Sequence, residues 1–154
     1  MIAQTDKDWK AIIIYDGVEG REFSDRRIKT IHIEKTGSGT KAGLVRNVGI
    51  TNCDTEWIGF LDDDDSLDID YVKTLKKYLD YDIVIFRMVY PNGDIRPQLK
   101  DEKIRFANVG ISFAYKNKGI LFDENKKGED FAFISKIIKD NYIITPEICY
   151  KVNY

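Results

Sequence analysis

Four consecutive carboxylates, Asp62-Asp63-Asp64-Asp65, follow the mainly apolar run Trp57-Ile58-Gly59-Phe60-Leu61 without a break and are closed by Ser66. Such a run, bounded by turn formers, reads as a buried strand. The acids then stand at the strand's carboxyl end, where open α/β sheets bind their ligands. Adjacent carboxylates repel one another and raise each other's pKa unless a positive charge sits among them. A hard divalent cation, Mg²⁺ or Mn²⁺, meets that need, because it prefers carboxylate and phosphate oxygens. Mg²⁺ is usually held by one or two protein carboxylates together with the substrate's phosphates. The run is therefore a candidate site for a metal–diphosphate complex. A solvated acidic turn after a strand is the plainer alternative.

Other reactive groups are sparse. Asp16 ends the apolar run Ala11 to Tyr15, and Glu129-Asp130 opens a late amphipathic segment. At a helix start those two acids are also explained by dipole complementarity, worth only a few tenths of a kcal/mol. His32, the only histidine, lies in the alternation Ile31-His32-Ile33 and reads as a strand residue. Cys53 and Cys149 lie far apart, and neither has a Cys or His at metal-ligand spacing. That argues against zinc and against a Cys–His nucleophile, and for buried free thiols in a reducing compartment. Acid–base chemistry then falls to carboxylates. Gly37-Ser38-Gly39 reads as a flexible turn and lacks P-loop spacing.

The elements that must position these groups follow from periodicity. Ala11 to Tyr15 and Arg26 to Ile33 read as strands, and Ala42 to Cys53 as a helix with Leu44, Val45, Val48 and Cys53 inward and Arg46-Asn47 on one side. After the acids, Ser66 is placed to cap a helix whose stripe is Ile69, Val72, Leu75 and Leu79, ending near Asp80. Asp82 to Tyr90 is a strand, Pro91-Asn92-Gly93-Asp94 a turn, and Ile95 the start of a return strand. Pro97 to Lys103 and Gly119 to Lys127 read as loops, and Val109 to Lys116 as a strand. A helix over Phe131 to Lys139, with Phe131, Ile134, Ile137 and Ile138 inward, precedes closing strands at Tyr142 to Thr145 and Ile148 to Tyr150. Strands alternating with helices predict an α/β layer fold with a mainly parallel centre and an antiparallel C-terminal part.

The chain of 154 residues is 43% hydrophobic and 32% charged, which fits one globular domain over 1–154. With 24 basic and 26 acidic side chains the net charge is −2, and no basic face argues for nucleic acid. The longest apolar runs are too short to cross a bilayer. The start, Met1-Ile2-Ala3-Gln4-Thr5-Asp6, turns polar at once, so no secretory signal is expected and the expected location is cytoplasmic.

Four segments, taken in order, resemble the GT-A glycosyltransferases, most closely the family 2 type. Gln4 to Lys10 with Ile12 to Gly17 is similar to the family's "QT-x-x-x-W/F-E" lead into a strand ending in Asp-Asp-Gly. Gly43-Leu44-Val45-Arg46-Asn47-Val48-Gly49-Ile50 resembles "G-x-A-R-N-x-G-I". Trp57 to Asp65 resembles "Y-I-x-F-L-D-x-D-D", which carries the DxD motif, and Gly128-Glu129-Asp130-Phe131 the late "x-E-D" motif. The resemblance implies a three-layer α/β/α sandwich with a mixed central sheet. It implies inverting, metal-dependent transfer of a sugar from a nucleotide-diphosphate donor, UDP favoured over GDP, to a hydroxyl acceptor. Asp16 would read the base, Arg46 would approach base or diphosphate, and Asp62 and Asp63 would hold ribose and sugar. Asp64, with Asp62, would bind Mn²⁺ or Mg²⁺, and Asp130 would be the general base.

This sequence departs from the pattern in lacking the first strand–helix unit, whose strand is normally central. Tyr15 replaces the first Asp of Asp-Asp-Gly, and Val45 the Ala before Arg-Asn. The sheet could close without that first strand, a partner subunit could fill the gap, or the chain could be a fragment. Because unpaired backbone is not tolerated in interiors, a rearranged sheet is the favoured expectation, with a homodimer covering the exposed edge. So compact a form resembles reduced viral and phage versions. Two rival readings are a degenerate domain that binds a nucleotide, glycan or divalent ion without turnover, and a nucleotidyltransferase. The second would need a basic triphosphate loop, and only Arg21, Arg26 and Arg27 lie near.

Overall fold

The computed structural model describes residues 1–36, 42–123, 128–138 and 141–154. The turn expected at Gly37-Ser38-Gly39, the end of the loop to Lys127 and the last residue of the helix expected to reach Lys139 lie outside these. Strands β1 (Ala11–Asp16) and β2 (Ile28–Ile33) precede helix α1 (Ala42–Thr51) and strand β3 (Trp57–Gly59). Then come β4 (Ser66–Leu67), α2 (Tyr71–Leu75), β5 (Ile83–Val89), β6 (Ile95–Arg96), β7 (Phe113–Lys116), α3 (Glu129–Ile137) and β8 (Tyr142–Lys151). No helix among the described residues is long and apolar enough to cross a membrane.

The centre is β5. Ile83 to Met88 are all buried, as expected for a strand covered on both faces. Val84 and Phe86 pack with Trp9, Tyr71, Val72 and Cys149, below α2 and the N-terminal segment. Ile83 and Ile85 pack with Phe113, Tyr115, Phe133 and Ile134, below α3, and with Ile50 of α1. This alternation divides the core into two halves and gives the α/β/α layering expected from the sequence. β5 pairs parallel with β8 and antiparallel with β6 and β7, and the sheet runs β3-β7-β5-β8-β4. Among the described residues the main sheet thus holds one parallel pair, and its centre is mixed, not mainly parallel as expected. The two closing strands expected from the sequence are one strand, β8, whose register with β5 shifts beside Pro146. Proline gives no N–H to a ladder, which accounts for the irregularity there.

Three local expectations are corrected. Ser66 does not cap a helix: Ser66 and Leu67 pair with Lys151 and Tyr150 of β8, so the backbone there is already claimed by a strand. The following helix is only α2 plus a 3₁₀ turn at Lys76–Tyr78, and Ile69 and Leu79 stay exposed. Its first turn is held instead by Gln4, which donates to the Asp68 carbonyl (2.6 Å) and accepts from the Val72 N–H (3.0 Å). In α1 the buried residues are Gly43 and Ile50, not the expected aliphatic stripe. The face of α1 turned inward also carries Arg46 and Asn47, whose partners are described below.

β1 and β2 pair parallel, from Ala11↔Ile28 to Asp16↔Ile33, and form a separate two-stranded sheet. Among the described residues no strand joins β1 to β3, so the sheet stays divided and does not close by rearrangement. Ile12, Ile13 and Ile14 are accordingly only half-buried. Helix α1 lies against β1, and Lys10 of the β1 lead-in pairs with Asp54 beyond α1 at 2.8 Å. Cys53 and Cys149 are free thiols, and burial pushes the Cys149 thiol up to about 12.

Candidate active site

The acidic run leaves the core at the end of β3. Phe60, just before it, is wedged edge-on against Phe113, Phe122 and Phe133 at 5.6–6.2 Å between ring centroids. Asp62 and Asp65 close a turn through a 3.2 Å backbone hydrogen bond from Asp65 N to Asp62 O. Tyr150, only 1% exposed, fixes this turn: its hydroxyl accepts from Asp62 N at 3.1 Å and bonds the Asp65 carboxylate. Asn153 adds a hold, donating from its backbone N to Asp65 (3.2 Å) and from its amide to the Asp64 carbonyl (3.0 Å). Burial raises the Asp65 carboxyl, and the bonds from Tyr150 and Asn153 oppose that.

Arg46 draws the acids together. Its side chain is 11% exposed, and one guanidinium meets three carboxylates. Nη2 donates to Asp62 at 2.7 Å, and Nη1 donates to Glu129 at 3.1 Å and Asp130 at 3.0 Å. Phe122 lies 5.6 Å from the guanidinium carbon on its ring face. Burial works against the Arg46 cation, but Asp62, Asp130 and Glu129 outweigh it, and its pKa is raised. Charge-assisted bonds of this kind are short and directional.

Glu129 has a second bond, accepting from Gly43 N at 3.0 Å at the start of α1. A Cβ at Gly43 would lie 2.9 Å from Glu129 Oε2 and 2.9 Å from Phe122 Cβ, so the contact requires glycine. Asn47, one residue after Arg46, brackets the Phe122 backbone, donating to its carbonyl (3.1 Å) and accepting from its N–H (2.7 Å). Gly43, Arg46 and Asn47 share a helix face at i, i+3 and i+4 spacing. That face is spent on the site.

Asp130 sits one residue into α3, and burial raises its carboxyl; Arg46 opposes this, while Glu129 and Asp62 add to it. One cation against three acids leaves the cluster short of positive charge. Asp63 and Asp64 are exposed, and among the described residues their carboxylates have no hydrogen-bond or ion-pair partner. No three His, Cys, Asp or Glu groups among the described residues converge as a self-contained metal site. Free carboxylate oxygens beside an anionic cluster suit a hard cation held jointly with a ligand's phosphates. The residues fit such a shared ion.

The structure thus brings Arg46, Asp62 and Asp130 together and places Asp63 and Asp64 at the rim of the same turn. Asp16 stands apart, at the end of β1. It accepts from Thr36 N (2.7 Å) and Thr36 Oγ1 (2.9 Å). Tyr15 stacks on His32 across β1 and β2 at 4.9 Å, which makes both strand residues of the small sheet. Sequence reasoning missed Glu129, Tyr150 and Asn153 as supports. Glu129 was signalled by its place beside Asp130, but nothing local marks Tyr150 or Asn153.

Comparison with known proteins agrees with this architecture. The family model for glycosyl transferase family 2 matches residues 1–140. Glycosyltransferase GlyA of Streptococcus pneumoniae serotype 4 is 33% identical over 88 residues, 53% of this chain and 12% of GlyA. The crystal structure of S. aureus TarS 1-349 superposes with a TM-score of 0.76 at 19% identity, covering 98% of this chain and 53% of that one. The same protein in complex with UDP-GlcNAc gives a TM-score of 0.74 at 18% identity, covering 97% of this chain and 51% of the other. A GT-A α/β fold with an acid turn at a strand end defines the class. The chain belongs to glycosyl transferase family 2. It spans about half the length of the TarS structures and about an eighth of GlyA.

Proposed function

We propose that this chain carries out inverting, metal-dependent transfer of a sugar from a UDP-sugar to a hydroxyl acceptor. The observation that carries the reading is the Arg46 guanidinium, which ties the acid turn after β3 to the two acids that begin α3. A leaving-group site and a separate proton acceptor are what glycosyl transfer requires, and here they share one bridge. The TarS structures were solved with UDP-GlcNAc and with UDP, which supports a uridine donor over GDP.

In this reading Asp16 contacts the base, Asp62 and Asp63 hold ribose and sugar, and Asp64 with Asp62 holds Mg²⁺ or Mn²⁺. That ion would neutralise charge on the departing diphosphate. Asp130 accepts the proton of the acceptor hydroxyl. As the acceptor oxygen bonds the anomeric carbon, the bond to the diphosphate breaks and its electron pair leaves with the phosphate. One base opposite the leaving group gives inversion. The raised pKa of Asp130 makes it a stronger base than a solvated carboxylate. Arg46 holds it in place. The edge of β1 that does not pair with β2 is the surface through which two copies would associate.

A second reading has one observation in its favour. Asp16 stands on a separate two-stranded sheet, as it would if the nucleotide side had lost its frame and the domain bound ligands without turnover. Isothermal titration of UDP and GDP with Mg²⁺, then with EDTA, run beside an assay of sugar transfer from a UDP-sugar, separates the two. Metal-dependent UDP binding, with transfer lost and binding retained in Asp130→Asn, is the expected outcome. Binding without transfer in the unaltered chain would favour the second reading.

A further inference from the structure

Phe106 is left 68% exposed, yet its position is fixed from several sides. Its ring meets Phe131 edge-on, at 5.7 Å and 90°. It also lies over Gly128, where a Cβ would come within 2.8 Å of Phe106 Cε2, and where φ is +66°. Gly128 and Phe131 flank Glu129 and Asp130 in the chain, so the ring lies against the first turn of α3, the turn that carries both acids.

The segment that presents Phe106 is pinned beneath. Buried Asp101 accepts from Gln98 N (3.0 Å), from the Arg105 guanidinium and from Asn108 Nδ2 (3.3 Å). Asn108 in turn accepts from Arg105 N at 2.6 Å. Buried Arg87 donates to the carbonyls of Pro97 (2.7 Å), Gln98 and Leu99 (3.3 Å). Ala107 turns the chain at a φ of 64°, a conformation non-glycine residues rarely adopt. A large exposed aromatic held this firmly is not slack in the core; it offers ring surface to solvent at the start of the helix that carries Asp130. On the same segment an open polar groove of about 450 Å³ is lined by Arg96, Gln98, Lys100 and Arg105, which supply donors for hydroxyl oxygens.

A π face is negative and attracts the positively polarised C–H bonds of an apolar surface. A pyranose ring combines such a C–H face with a rim of hydroxyls. We propose that Phe106 is the platform on which a pyranose unit of a saccharide acceptor stacks, bringing its hydroxyl towards Asp130. This rests on the glycosyltransferase reading above.

Saturation-transfer NMR on the whole chain with UDP and Mg²⁺ tests it, using cellotriose, chitotriose and lactose as probes and glycerol phosphate as comparator. Transfer to the ring protons of at least one of the three saccharides is expected. It should fall at least about fivefold in Phe106→Ala, the size of one aromatic contact, and persist in Phe106→Trp. The uracil protons should keep their signal in both variants. No saccharide signal in the unaltered chain, an equal signal in Phe106→Ala, or transfer to glycerol phosphate alone would overturn the proposal. Loss of the uracil signal in the unaltered chain would overturn the donor reading itself, and this proposal with it.

Discussion

Asp62, Glu129 and Asp130 share one largely covered guanidinium, whereas Asp16 is held, among the described residues, by the N–H and hydroxyl of Thr36 at the end of a two-stranded sheet. Around the first group lie Phe60, Phe113, Phe122 and Phe133, part of the main core, with Phe122 and Phe133 stacked at 3.9 Å. Around the second, no residue of β1 or β2 is fully buried. The small sheet meets the body through helix α1, which lies against β1, through Trp9, over which Arg27 sits at 3.9 Å, and through surface pairs such as Lys10–Asp54. The side that would perform chemistry is preorganised by packing and buried charge, while the side expected to meet the nucleotide base stands on a more loosely packed frame.

Arg46→Met is the largest way to break this contrast. It leaves three carboxylates facing one another with no cation. The cluster is only partly buried, so the cost should fall between that of a surface pair, about 1 kcal/mol, and that of a buried one, about 3 kcal/mol. Urea denaturation should show that loss at pH 8 and a smaller one at pH 5. The sign follows from Asp130, whose folded pKa is already raised: without Arg46 the folded state binds protons still more tightly, so acid restores stability. An unchanged midpoint would mean that the cluster does not organise the site.

The same raised pKa fixes a pH profile. If Asp130 is the proposed base, it must be ionised to accept a proton, so the acid limb of the transfer rate should lie above the ordinary aspartate value of about 4. A limb at or below that value would assign the proton to another group.

Tyr150→Phe is smaller. It removes the hydroxyl that receives Asp62 N–H and bonds Asp65, at about 1 kcal/mol, and should loosen the acid turn without unfolding the chain. A parallel rise in the donor dissociation constant would show that the turn's geometry matters for binding.

Hydrogen exchange addresses the other side of the comparison and perturbs nothing. Amides of β5 should exchange only through global unfolding, and those of β1 much faster through local opening. Addition of UDP should slow β1 more than β5. Equal protection in both sheets would erase the distinction drawn here.

Several features were legible in the sequence because they are local. The apolar run before Asp62, the period of β5 and the turn at Pro91-Asn92-Gly93-Asp94 each follow from neighbouring residues. The identity of the acids and the order of the four segments pointed to the family. The helix expected from Ser66 failed because β8, more than eighty residues away, claims that backbone. The aliphatic stripe of α1 failed because Arg46 and Asn47 find partners on the inward face, which no periodicity count registers.

The amino-acid sequence by itself determined the α/β class, the strand that delivers Asp62 to its place and a late amphipathic helix next to Glu129 and Asp130, which the structure starts two residues earlier than the expected Phe131, since each depends on short-range pattern and side-chain type. Only the tertiary structure decided that one arginine would join those acids, that Tyr150 would lock the turn, and that β1 and β2 would stand apart from the main sheet. Those outcomes depend on contacts between residues up to 88 positions apart, where burial and charge balance select partners that local propensity does not specify.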